Sequence, residues 1–170
     1  MTLELMTKRG VLQHYGQRKT NQKYGGAVSA DFKRTAVWVF DYNDLPTYGT
    51  SKMELIIPAN STILSAKFRV ITAFTSTSTT TDLVVGLYDS AGNAIDADGL
   101  ITAAHANQTN IAIDGQIMDG GLGVTPAALI NATIGTVNGE LVVAPSVSDL
   151  LTGRGEVIVE YLLPFPSKQA

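Results

Sequence analysis

From Thr35 onward the chain alternates between short runs rich in Val, Ile, Phe, Tyr and Thr and breaks of Gly, Pro, Asn and Asp, the texture of β-strands joined by turns. The first run, Thr35–Tyr42, places Ala36, Trp38, Phe40 and Tyr42 on one face and Val37 and Val39 on the other. With both faces apolar, it predicts a central or interface strand. A second strand is expected over Lys52–Ile57, ended by Pro58. The clearest alternation runs from Thr62 to Phe74. There Leu64, Ala66, Phe68, Val70 and Phe74 share one face, opposite Ser65, Lys67 and Arg69, so the first set is expected inside.

The Ser/Thr run from Thr75 to Thr81 reads as an exposed loop. Asp82–Asp89 resumes the strand pattern, with Leu83, Val85 and Leu87 on one side, and Ser90-Ala91-Gly92-Asn93 has the chemistry of a tight hairpin turn. The hairpin returns through Ala94 and Ile95. Between Asp96 and Ala106 the Ala-rich spacing of Leu100, Ile101 and Ala104 suggests a short helix or irregular loop. Thr109–Met118 is read as a further strand, Asp119–Gly123 as a loop, and Pro126–Ile130 is ambiguous. Glu140–Ala144 and Glu156–Leu163 complete the set, the last with Val157, Val159 and Tyr161 inward and Glu156 and Glu160 outward. Seven or eight short strands with little helix predict an all-β fold, a β-sandwich or jelly roll. No internal repeat suggests a propeller or solenoid.

The segment before Thr35 differs in texture and in charge. Residues 1–34 carry Lys8, Arg9, Arg18, Lys19, Lys23, Lys33 and Arg34 against Glu4 and Asp31, a net +5. Residues 35–170 hold the other five basic and thirteen acidic residues, a net −8. Lacking a sustained period, residues 1–34 are expected to form an extended basic N-terminal arm in front of a β-sandwich domain over 35–170. Those seven basic residues are the candidate partner-binding set, suited to an acidic surface on a neighbouring molecule. Phosphates would also attract them, but the acidic body would repel the same polyanion, so no nucleic-acid partner is expected.

Composition narrows the remaining possibilities. Charged residues are only 16% of 170 and cysteines are absent, which excludes disulfide staples, thiolate metal sites and a cysteine nucleophile. Met1–Gly10 lacks the order of a signal peptide, and no apolar run approaches the ~20 residues that span a bilayer, so neither export nor a membrane partner is expected. The only histidines are His14, in the arm, and His105, in a loop-like stretch. No nucleophile elbow, zinc helix or phosphate-binding loop accompanies them, so no catalytic residues, no cofactor and no enzyme activity are expected.

Asp89 and Asp96-Ala97-Asp98-Gly99 evoke a calcium loop, but Leu100 and His105-Ala106 stand where further oxygen ligands belong. Solvated turn aspartates are the better reading, and no metal site is assigned. Trp38, Tyr42 and Tyr48 offer the alternative of a sugar-stacking platform in a glycan-binding module. Core or interface packing accounts better for Trp38, which sits in a strand apolar on both faces.

The segment IIPANSTILSAKFRVITAF, followed by DLVVGLYDSAGNAIDADGLI and closed by GELVVAP and TGRGEVIVEYLLPF, resembles small β-sandwich virion structural proteins of tailed bacteriophages, over about residues 50–163. That resemblance implies a capsid decoration or cement protein, a trimer on the outer head surface with the major capsid protein as partner, assembled in the host cytoplasm. A tail, fibre or head-tail component is the alternative within the same biology. The arm carries no family motif.

Overall fold

The computed structural model describes residues 4–7, 10–13, 33–45, 53–123 and 125–164. Among the described residues, ten strands and two short helical turns follow in chain order: β1 Glu4–Thr7, β2 Gly10–Gln13, β3 Lys33–Asp41, a 3₁₀ turn Tyr42–Asp44, β4 Met53–Ile57, β5 Thr62–Ser76, β6 Leu83–Tyr88, β7 Ala94–Ile101, α1 Gln108–Ile111, β8 Ile117–Asp119, β9 Gly139–Pro145 and β10 Leu150–Leu162. The last eight strands form two antiparallel four-stranded sheets, ordered β3-β10-β5-β8 and β4-β9-β6-β7. Strand β3 therefore pairs with β10, β4 with β9, β5 with β8 and β6 with β7. This is one long hairpin with its tip between β6 and β7, rolled so that successive pairs fall in alternate sheets: a jelly roll.

The core lies between the sheets. Ala66, Phe68, Val70 and Phe74 of β5 and Val157, Val159 and Tyr161 of β10 meet Leu83, Val85, Leu87, Leu141 and Val143 from the opposing sheet, all buried. At its centre, Phe40, Phe68 and Phe74 stack in a trio with ring centroids 5.9–6.0 Å apart, a spacing at which aromatic rings attract beyond the area they bury.

Several expectations need correction. Strand β3 is an edge strand, not a central one; its alternation buries Phe40 while leaving Val37 and Val39 exposed on the outer face. In β5 the pairing with β10 slips between Ser65 and Ile63, so Leu64 is the extra residue of a bulge and Ile63 takes the core position expected for it. The Ser/Thr run is not wholly loop: Thr75 and Ser76 complete β5, and Thr81 is buried with its hydroxyl 2.7 Å from that of Ser148.

The Ala-rich stretch from Asp96 is strand as far as Ile101, disguised by a large bulge. Val85 pairs with Ile101 and Leu87 with Asp96, so the intervening β7 residues arch over Gly86. A Cβ there would sit 2.2 Å from the Asp96 carbonyl oxygen, which is why only glycine fits under the arch. Thr109–Met118 is not one strand: Gln108–Ile111 is a helical turn capped by the Asn107 side chain, and only Ile117–Asp119 pairs. Within the N-terminal segment, expected to be an extended arm, the described residues include β1 and β2, which pair with each other.

Candidate interaction surface

The outer face of the β3-β10-β5-β8 sheet is built by the residues that alternate away from the core. Read across the strands, Val37 lies beside Ile158, Lys67 and Asp119, and Val39 beside Glu156, Arg69 and Ile117. Apolar and charged positions thus interleave. Arg69 and Glu156 are paired at 2.6 Å, and Lys67 approaches Asp119 at 4.0 Å. Cross-strand partners of opposite sign stabilise the sheet by a few tenths of a kcal/mol to about 1 kcal/mol each. They also leave this face nearly neutral, with Val37 at 49%, Val39 at 43% and Ile117 at 58% exposure. Exposed hydrophobics gathered in neighbouring rows are suited to covering by another molecule.

Of the seven basic residues expected to bind a partner, Lys8, Arg9, Arg18, Lys19 and Lys23 lie outside the described residues. Lys33 and Arg34 open β3 instead of ending an arm, because the strand starts two residues before the sequence pattern suggested. The Lys33 ammonium is 3.0 Å from the Glu160 carboxylate, which also accepts from Ser65 Oγ at 3.2 Å. The ammonium, then the hydroxyl, hold the Glu160 carboxyl below the usual range. Arg34 is exposed opposite Tyr161. The structure therefore ties Lys33 to the body's own sheet.

The residues weighed for chemistry have structural partners. His105 Nε2 is 2.7 Å from the Leu122 carbonyl oxygen and Nδ1 is 2.7 Å from Thr102 Oγ1. Because a carbonyl only accepts, Nε2 is the donor to Leu122; the ring clips two loops together. Asp89 accepts from the backbone N–H groups of Ala91 and Asn93 and from the Asn93 side chain, and these bonds, the side-chain one foremost, lower its pKa. Asp96 accepts from the Asp98 N–H. Among the described residues no group of three or more His, Cys, Asp or Glu side chains is placed to hold a metal ion. His14 and Tyr48 fall outside them. Trp38 and Tyr42 pack against the core, the Trp38 ring 5.0 Å from that of Phe40, so they do not present an open stacking platform.

The sequence pattern did not single out the Val37/Val39 pair as a surface, although their parity, opposite to that of Trp38 and Phe40, was visible. Whether β3 lay at an edge depended on strand order, which no local pattern encodes.

No protein-family model matches the chain, and no curated protein matches it. Among solved structures, its fold is similar to a chain of the cyanophage Pam1 capsid asymmetric unit, with a TM-score of 0.57 at 14% identity over 87% of this chain and 98% of that one. It is also similar to a chain of the acid-stable capsid of Helicobacter pylori bacteriophage KHP30, with a TM-score of 0.50 at 17% identity over 79% and 90% of the two chains.

Proposed function

We propose that this protein is a structural component of a tailed-phage virion, a decoration or cement protein that sits on the outer head surface as a homotrimer, contacts the major capsid protein and stabilises the shell. The observation that carries the reading is the near end-to-end correspondence of its jelly roll with a chain of a phage capsid asymmetric unit, 98% of which is covered. The resemblance of residues 50–163 to small phage virion proteins is in keeping with this reading.

Physical features agree with such a role. The described ionisable groups weighed for chemistry are engaged in turns, loop clips and cross-strand pairs, as in a protein selected for rigidity. A weak interface suffices where many symmetric copies bind one shell, since avidity multiplies modest contacts. The basic arm, with Lys8, Arg9, Arg18, Lys19 and Lys23, is suited to an acidic surface on a neighbouring molecule, a second subunit or the major capsid protein.

The test is add-back: heads lacking this protein are incubated with the purified full chain, and binding and the temperature of head disruption are measured. Saturable binding with a raised disruption temperature is expected. Absence of binding to heads, with binding to tails instead, would replace decoration by the tail or fibre reading.

A further inference from the structure

The nine residues of β3 pair without a break with β10, from Lys33↔Leu162 to Asp41↔Arg154, yet among the described residues no strand pairs with their other side. The other sheet edges are less open. Strand β8 is three residues long, and the pairings of β4 and β7 are interrupted by bulges. Short and bulged edges resist strand addition, whereas a long, regular, apolar one invites it. β3 contains no proline.

The hydrogen-bond pattern identifies which backbone groups line the open side. Val70 N–H donates to Gln116 O and Gly120 N–H to Ala66 O, so the even-numbered β5 residues turn toward β8. Ser65, Lys67 and Arg69 then turn toward β10, and their partners Glu160, Ile158 and Glu156 turn toward them. Opposite these three, Thr35, Val37 and Val39 direct N–H and C=O away from β10, to the open edge. The same parity holds at Asp41, whose N–H is taken at 2.9 Å by its own neighbour Asp44.

The chain also carries a matching strand source. Among the described residues β1 and β2 pair only with each other, and an isolated two-stranded hairpin is marginal in water. The linking residues 14–32 can extend to roughly 65 Å at ~3.4 Å per residue, beyond the width of one small domain. Residues 1–32, ahead of β3, carry a net +3 and residues 33–170 a net −6, so each copy offers a basic arm to the acidic body of the next.

We infer that the open edge of β3 receives the β1–β2 hairpin of a second copy of this chain, extending the β3-β10-β5-β8 sheet across a subunit boundary. Main-chain hydrogen bonds to Thr35, Val37 and Val39 supply the attachment, and a head-to-tail exchange of this kind closes into a ring when its rotation permits. This self-association deepens the homotrimer of the proposed function by naming its contact, and it can fail while the head location stands.

Three measurements on the full chain test it. Backbone hydrogen exchange is compared above and below the concentration at which the protein assembles, as judged by light scattering. The amides of Thr35, Val37 and Val39 are expected to slow by about 100-fold or more on assembly, while Ala36, Trp38 and Phe40 are protected in both states. Free exchange at the three odd positions in the assembled protein would overturn the inference.

Val37→Pro removes an N–H that the β10 ladder does not use, a replacement edge strands tolerate. It is expected to leave a folded monomer, and assembly equal to that of the unsubstituted chain would overturn the inference. Should Val37→Pro fail to fold, cross-linking decides. The chain has no cysteine, so a Val39→Cys chain mixed with a Leu12→Cys chain can join Val39→Cys to Leu12→Cys only between copies. That product is expected with a short dithiol cross-linker. Joining of Val39→Cys chains to each other alone would show edge-to-edge pairing of β3, and no cross-link at all would show a free edge; either refutes the hairpin.

Discussion

Glycine 153 interrupts β10 where that strand crosses the aromatic trio, and replacing it with alanine strains the fold in two separable ways. Its φ of 128° lies where L side chains are rarely found, and backbone in such regions costs about 1–3 kcal/mol. The added Cβ would also sit 2.1 Å from Cδ1 of Phe74. That ring is fully buried against Phe40 and Phe68, so it cannot swing aside, and overpacking of this kind costs a further 1–3 kcal/mol or about that. Gly153→Ala is thus expected to lose about 2–6 kcal/mol, a large share of the 5–15 kcal/mol that holds a typical domain together. Gly115→Ala isolates the first effect, since Gly115 has a φ of 77° with nothing within 4 Å of its Cβ position. Urea unfolding of both variants gives the difference, and at roughly 2–4 °C per kcal/mol for a chain of this size the thermal midpoints separate as well. Phe74→Leu in the Gly153→Ala background should recover part of the loss as a non-additive term. If Gly153→Ala is no more destabilised than Gly115→Ala, β10 does not cross Phe74 as described.

Three further outcomes follow from named contacts. Phe68→Ala, which removes the ring at the centre of the aromatic trio, should destabilise by about 3–5 kcal/mol in denaturant unfolding. Arg69→Ala breaks the 2.6 Å pair with Glu156, but the arginine side chain is 48% exposed, so a loss under about 1 kcal/mol that shrinks further at high salt is expected. Burial foremost, with the neighbouring Asp98 adding to it, raises the Asp96 pKa. Ionising Asp96 therefore costs more in the folded than in the unfolded chain, and that penalty is present at pH above its folded pKa and vanishes below the ordinary aspartate value. Asp96→Asn should accordingly raise the melting temperature at pH 7 and lose that advantage near pH 3; an advantage that grows on acidification would refute the assignment.

The parts of the fold legible in the sequence were those where alternation runs unbroken. Leu83, Val85 and Leu87 on β6, and Val157, Val159 and Tyr161 on β10, fall inside as their parity requires. Where the chain bulges, parity misleads. One extra residue exchanges Leu64 for Ile63, and the arch of β7 over Gly86 gives a true strand the spacing of a helix. The strand read over Glu156–Leu163 begins earlier, at Leu150, in a half where Gly153 and Gly155 let Phe74, Phe68 and Phe40 approach the backbone. The helical turn at Gln108–Ile111 depends on the Asn107 cap, a signal present in the sequence but outweighed by β-branched neighbours.

For the candidate surface, the charges were legible and their use was not. Lys33 read as part of an extended basic arm, and its role emerges only once β10 brings Glu160 alongside. The exposed edge of β3 is a property of strand order, which depends on contacts far apart in the chain.

Placement on the particle is tested most directly by a cryo-electron-microscopy map of purified virions, with copy number checked by quantitative mass spectrometry. The account predicts hundreds of copies, each jelly roll fitting density on the outer head surface in clusters of three. A protein found in only a few copies at the tail, or missing from purified heads, would contradict it.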